Sequence, residues 1–112
     1  MRPELLPENR EAAERAILAA CGVFGVNRLA LLGRGKTGPA WAARAAFSLS
    51  LHEQAGVTWS QVGAVLGREH SAPRALVTRL RRLMKADKQL REQVERVVGT
   101  VRDWAAGRGE AA

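Results

Sequence analysis

The sequence predicts an all-α fold, a small bundle of about six helices that contains a helix-turn-helix. Helix-forming residues dominate its 112 positions, and no stretch alternates apolar and polar residues for long enough to make a strand. Glycines, prolines and capping residues divide the chain into segments in which apolar residues recur at helical spacing. A chain of this length is most simply one domain with a modest core.

The first three predicted helices fill the N-terminal half of the chain. The first covers residues 7–21, with a proline in its first turn and a glycine after its end. The second covers residues 26–32 and runs into the sequence GRGKTG at residues 33–38, whose three glycines predict a flexible, basic, non-helical loop. The third covers residues 39–54. Its apolar residues fall almost all the way round, so we expect it in the centre of the bundle.

The last three predicted helices are marked by capping residues. Thr58, with Gln61 three residues later, has the pattern of a capping box for a fourth helix over residues 59–66. Ser71 is the predicted N-cap of the fifth helix. Asp87 is the predicted cap of the sixth helix, whose single apolar face consists of Leu90, Val94, Val97, Val98, Val101 and Trp104.

The predicted domain ends shortly after the apolar face of the sixth helix. We place it at residues 1–106, because the remaining residues 107–112, GRGEAA, offer nothing large and apolar to bury. That last segment is expected to form a flexible tail or the beginning of a linker to another region.

The chain is strongly basic, and its charge is concentrated in one stretch. Eighteen lysines and arginines against eleven acidic residues give a net charge of +7. We therefore expect polyanionic partners, nucleic acid before acidic membrane. Residues 66–91 alone hold eight basic and two acidic residues, which places the expected partner surface around the fifth helix.

Several features predict a cytoplasmic protein that does not enter a membrane. The N-terminal sequence MRPELLPENR lacks the apolar core of a signal peptide. The uncharged run AILAACGVFGVN has about half the length that a bilayer span requires. Cys21 is the single cysteine and lies among apolar residues, which favours a small buried residue in a reducing compartment.

The sequence lacks the residues that an enzyme would need. His52 and His70 are the only histidines, no His, Cys, Asp and Glu cluster has metal-ligand spacing, and no pair of carboxylates shares a predicted inner face. The GRGKTG loop superficially resembles a nucleotide phosphate loop, but it lacks the four-residue gap before Gly-Lys and follows a helix instead of a strand. We expect no catalysis, metal, cofactor or bound nucleotide.

The fifth helix has two unlike sides. On a helical wheel one arc of about 100° holds its apolar residues, which are Leu76, Val77, Leu80, Leu83 and Met84. The opposite side holds Arg74, Thr78, Arg81 and Lys85. Taken alone, this basic side is equally consistent with a solvated surface.

The short fourth helix, a tight connection and the basic fifth helix follow the order of a helix-turn-helix, which presents the start of its second helix to the DNA major groove. The residues that we expect nearest the bases are Arg68, His70, Ser71 and Arg74. Those that we expect mostly on phosphates are Arg81, Arg82 and Lys85. Glu69 either accepts from a cytosine amino group or pairs with Arg68, and the sequence favours neither.

Three elements of the chain match a known family. They are the Val62-Gly63 pair, the turn that reads Gly-Arg-Glu-His-Ser over residues 67–71, and the helix AARAAFSLSLHEQAG around Arg44. Together they resemble the C-terminal DNA-binding domain, domain IV, of the bacterial replication initiator DnaA, over roughly residues 11–104. The resemblance implies a six-helix, Trp-repressor-like bundle, sequence-specific binding of double-stranded DNA, and a place for Arg44 among the DNA-binding residues.

The chain also departs from the pattern of that family. Its turn is one glycine shorter, and the positions that differ from the usual residues are Glu69, Ala72 and Pro73. The expected target therefore differs from the initiator's usual box. Ala42 stands where the family has an arginine that enters the minor groove. We expect Arg34 and Lys36 of the GRGKTG loop to take over that contact.

No Walker-type phosphate loop occurs, so the nucleotide-driven motor of the initiator is missing. The resemblance then implies a transcriptional regulator of the phage-derived or gene transfer agent activator type, with RNA polymerase as a partner for regions outside this chain. The alternatives are a replication initiation or modulation factor that binds DnaA-box-like sites, a Myb-like helix-turn-helix, and a protein-interaction bundle whose basic face meets an acidic partner. Salt dependence separates the DNA and protein alternatives, because duplex binding weakens linearly with log salt at ~0.9 per phosphate contact.

Overall fold

The computed structural model describes residues 3–111, with side chains as far as residue 108. Within that range the chain is a helical bundle without strands, which confirms the predicted all-α class. A 3-10 turn, Pro7–Asn9, precedes six α-helices in the described residues: α1 (Arg10–Phe24), α2 (Arg28–Leu32), α3 (Gly38–Ala55), α4 (Trp59–Leu66), α5 (Ser71–Met84) and α6 (Lys88–Ala111).

Helix α3 lies in the centre of the bundle, as its sequence predicts. Every residue from Trp41 to Leu51 is buried, and α1, α5 and α6 all pack against it. Four of those residues are alanines, whose small side chains let neighbouring helices approach closely. The other helices are thereby arranged around a single core.

The predicted cap and inner face of α6 are confirmed. The Asp87 Oδ1 atom accepts from the Leu90 backbone N–H at 3.0 Å. Val94, Val97 and Val101 are fully buried at helical spacing against α1 and α3. No helix in the described range is long and apolar enough to cross a membrane.

Helix α6 continues past residue 106, where we placed the end of the domain. Residues 107–111 continue this helix, and Ala112 lies outside the described residues. The Arg108 guanidinium pairs with Glu11 of α1 and lies 5.3 Å from the centroid of the Trp104 ring. Arg108 thus contacts one residue a turn earlier on α6 and one residue on α1.

Gln61 has a different role from the predicted capping box. Thr58 caps α4 by accepting from the Gln61 N–H at 3.2 Å, as expected. The buried Gln61 side chain, however, turns to the N-terminal segment, where its Oε1 accepts from the Leu6 N–H at 2.6 Å and its Nε2 donates to the Glu4 carbonyl at 2.8 Å. Gln61 therefore holds the segment before α1 against α4.

Candidate nucleic-acid interface

The connection between α4 and α5 is a tight turn that crosses the end of α4 at close range. Gly67 ends α4 in the left-handed region at φ 66°, and the Arg68 N–H donates to the Gly63 carbonyl at 2.8 Å. A Cβ atom on Gly63 would lie 2.6 Å from the Arg68 carbonyl oxygen. Only glycine fits at residue 63 with the turn in this position, because a side chain there would push the turn away from α4.

The inner side of α5 agrees with the helical wheel except at one edge. The buried residues are Pro73, Leu76, Val77 and Leu80, and Met84 is half-buried. Leu83 belongs to the apolar arc but is 41% exposed. It lies at the edge of the apolar arc, where the helix surface turns from the core toward the solvent.

The outer side of α5 is exposed and basic, as predicted. Its exposed residues include Arg74, Thr78, Arg81, Arg82 and Lys85. Glu69 and His70 are exposed at the N-terminal end of the helix, where Arg68 is half-buried. We call these residues, with Ser71 and the loop of residues 33–37, the basic face.

Ser71 is not the N-cap of α5, so that prediction is wrong. Helix α5 begins at Ser71 itself, after His70, whose side chain makes no capping hydrogen bond. The Ala72 N–H donates instead to the Glu69 backbone carbonyl at 3.1 Å, so a backbone acceptor replaces the side-chain cap. Ser71 remains exposed at the start of the basic face.

Arg44, which the resemblance places among the DNA-binding residues, lies inside the protein. Its side chain is 1% exposed. Its Nε donates to the Leu31 carbonyl at 2.6 Å, and its Nη atoms donate to the Gly35 carbonyl at 2.7 Å and the Ala30 carbonyl at 3.0 Å. Burial, together with the nearby positive charge of Arg68, lowers the pKa of Arg44 from its usual value. The guanidinium caps the carbonyl end of α2 and fixes the following loop.

Two further arginines reach the same loop from the turn and from α5. Arg68 donates to the Gly33 carbonyl at 3.5 Å, and Arg79 donates to the Lys36 carbonyl at 3.4 Å. The loop is non-helical, as predicted, but arginines from α3, the turn and α5 hold its carbonyl groups.

A positively charged pocket lies between this loop and α5. Its volume is about 290 Å³, and its lining residues are Arg34, Gly35, Lys36, Trp41, Arg44, Arg68 and Leu76. Four of these are cationic and none is acidic. Arg34 and Lys36 are exposed at the rim of the pocket, so the structure brings both predicted loop cations beside the predicted recognition helix.

An ion pair and a pair of stacked rings lie beside the flank of α5 that faces away from the loop. Arg81 pairs with Glu53 of α3 at 2.5 Å, so Arg81 already has a partner. Because the two side chains are 56% and 38% exposed, the pair adds little to stability. His52 stacks on Trp59 at 3.8 Å between ring centroids. Its Nδ1 lies 2.8 Å from the Val57 carbonyl, which therefore requires a proton on that nitrogen.

The basic face carries many more cations than acids. Its cations and those packed beside it are Arg34, Lys36, Arg68, Arg74, Arg79, Arg81, Arg82 and Lys85, and the neighbouring acids are Glu53 and Glu69. In the described part of the chain, no three His, Cys, Asp or Glu side chains are grouped so as to hold a metal ion.

No protein-family model, curated protein or solved structure matches the chain. Its function is therefore inferred from the charge and geometry of these residues.

Proposed function

We propose that this chain is the sequence-specific double-stranded DNA-binding domain of a cytoplasmic bacterial transcriptional regulator, of the phage-derived or gene transfer agent activator type. One observation supports this most directly: α5 buries one side in the core and exposes a basic side. A short turn and a cationic loop border that side. Such an arrangement suits a helix that enters the DNA major groove, which is about 12 Å wide and admits an α-helix.

In the proposed complex, the N-terminal half of α5 faces the base edges. Arg74 projects from the first turns of α5, and its guanidinium suits the two acceptors of a guanine. Arg68, His70 and Ser71 lie at the entry of the helix and contact bases or the nearest phosphates. Glu69 is exposed and faces the same groove, where a cytosine amino group is its natural donor.

The phosphate contacts come from the C-terminal half of α5 and from the loop. Arg82 and Lys85 are exposed on α5, and Arg81 exchanges Glu53 for a phosphate. Arg34 and Lys36 extend the contact beyond the major groove and enter the neighbouring minor groove. RNA polymerase is the proposed partner of regions outside this chain.

A replication factor that binds DnaA-box-like sites would use the same face, so the bound sequences separate the two roles. Genome-wide mapping of bound sites is expected to place them at promoters. Enrichment at a replication origin would instead identify the chain as a replication factor. Binding to an acidic protein without any preference among duplexes would identify an interaction bundle.

Arg74→Ala and Lys85→Ala test the base-contact and phosphate-contact roles that we assign to the two halves of α5. Arg74→Ala is expected to cost about 1–3 kcal/mol on the preferred duplex and to relax specificity at one base position. Lys85→Ala is expected to weaken all duplexes alike and to reduce the slope of log affinity against log salt by about 1.

The measurement is fluorescence anisotropy over a salt series, with an operator selected from a random duplex library and a scrambled duplex as control. Both variants exchange one exposed cation on α5 for alanine, so each is the charge-matched control of the other. Identical behaviour of the two variants would contradict the assigned roles.

A further inference from the structure

Arg79 differs from the other arginines of α5 in the direction of its side chain. Its guanidinium lies 4.6 Å from the centroid of the Trp41 ring, and the ring is itself buried in the core. From that position its Nη1 donates to the Lys36 carbonyl at 3.4 Å. The planar guanidinium therefore stacks on a fixed aromatic ring and holds the backbone of the loop.

The loop is linked in this way to both parts of the proposed recognition element. Arg79 belongs to α5, and Arg68 belongs to the turn before it and donates to the Gly33 carbonyl at 3.5 Å. Arg44 fixes the middle of the loop from the core through the Gly35 carbonyl. Arg34 and Lys36 are thereby carried on a backbone that is bonded to Arg44 of the core as well as to α5 and the turn.

We infer that Arg79 is a positioning residue: through Trp41 and the Lys36 carbonyl it joins the loop to α5, so that loop and helix meet DNA as one rigid unit. This inference rests on the proposed function. Ordering a free loop during binding costs conformational entropy, whereas a loop that is already held avoids that cost. The operator then has two contacted parts at a fixed separation, one for α5 and one for Arg34 and Lys36.

A double-mutant cycle separates positioning from a direct phosphate contact. Its variants are Arg79→Gln, the loop variant Arg34→Ala plus Lys36→Ala, and their combination. Arg79→Gln is expected to weaken operator binding about tenfold in the otherwise unmodified chain but less than about twofold in the loop variant, because coupled residues are non-additive. Binding is measured at low salt, where the weakest variant still binds.

Arg82→Gln is the matched control. It removes the same charge from an exposed position on the same helix, and we expect its effect to be equal with and without the loop cations. A second readout needs no DNA. NMR order parameters of the backbone amides in residues 33–37 are expected to fall in Arg79→Gln and to stay unchanged in Arg82→Gln.

The outcomes distinguish this inference from the proposed function. If the unmodified chain binds no duplex, both are overturned. If it binds but Arg79→Gln costs the same factor in both backgrounds, Arg79 contacts DNA directly and the positioning role is wrong. A loop variant with unchanged affinity and unchanged minor-groove protection would remove the loop from the interface, and the positioning role with it.

Discussion

Arg44→Met should lower the free energy of unfolding by about 2–4 kcal/mol, the largest stability effect that we expect in this chain. The guanidinium donates to the carbonyl groups of Ala30, Leu31 and Gly35. Methionine fills a similar length but donates nothing, so carbonyl groups at the end of α2 and in the loop lose a charged donor. The release of a buried charge offsets only part of that loss.

Arg34→Met is the matched control for this prediction. It removes the same charge from the loop to which Arg44 donates, but Arg34 is exposed, and such surface substitutions usually stay within about 0.5 kcal/mol. Unfolding in urea, followed by circular dichroism, measures both variants. Equal midpoints and slopes for the two variants would show that the buried guanidinium does not stabilise the loop.

Gly63→Ala should lower the free energy of unfolding by about 1–3 kcal/mol and weaken duplex binding as well. The added methyl group would lie 2.6 Å from the Arg68 carbonyl oxygen and 3.0 Å from the Glu69 carbonyl oxygen. Both contacts are backbone atoms, so the turn itself must move. Because the turn carries Arg68 and His70 into the proposed interface, its displacement alters the approach of α5 to DNA.

Gly22→Ala is expected to change the free energy of unfolding in the opposite direction. Gly22 lies within α1, and a Cβ atom there would meet nothing within 4 Å. Alanine at that helical position should stabilise the chain by about 0.5–1 kcal/mol. The same urea titration compares the two variants, and a Gly63→Ala chain as stable as Gly22→Ala would contradict the close crossing of turn and α4.

Local signals predicted α3, α4 and α6 well because their causes lie within a few residues, whereas α1 runs through Gly22, its predicted stop, to Phe24. Helix α4 begins after the capping residue Thr58 and ends before the left-handed Gly67, as expected. Asp87 caps α6, and the all-round apolar pattern of α3 predicted its central place. Each of these features depends on contacts within one helix or on the spacing of apolar residues along it.

Two differences concern side chains whose partners are distant in sequence. Gln61 matches a capping box, but its partners are Glu4 and Leu6. The resemblance placed Arg44 among the DNA-binding residues, and the carbonyl groups to which it donates belong to α2 and the loop. No periodicity encodes which of two competing acceptors a polar side chain will choose, because that depends on the packed fold.

Arg79 was missed for a related reason. On the helical wheel it lies between the apolar arc and the basic side, a position that indicates neither role. Its partner Trp41 belongs to another helix. The sequence offers one signal for this contact: an arginine at such a boundary, together with a tryptophan in the predicted central helix.

The central claim is that the basic face of α5 binds double-stranded DNA, and chemical-shift mapping with an operator duplex tests it most directly. We predict that backbone amide signals of residues 68–85 and of the loop shift on titration, while those of the α1 and α6 surface stay in place. Unchanged amide signals for residues 68–85, with shifts confined to other surfaces, would contradict the claim that this face binds DNA.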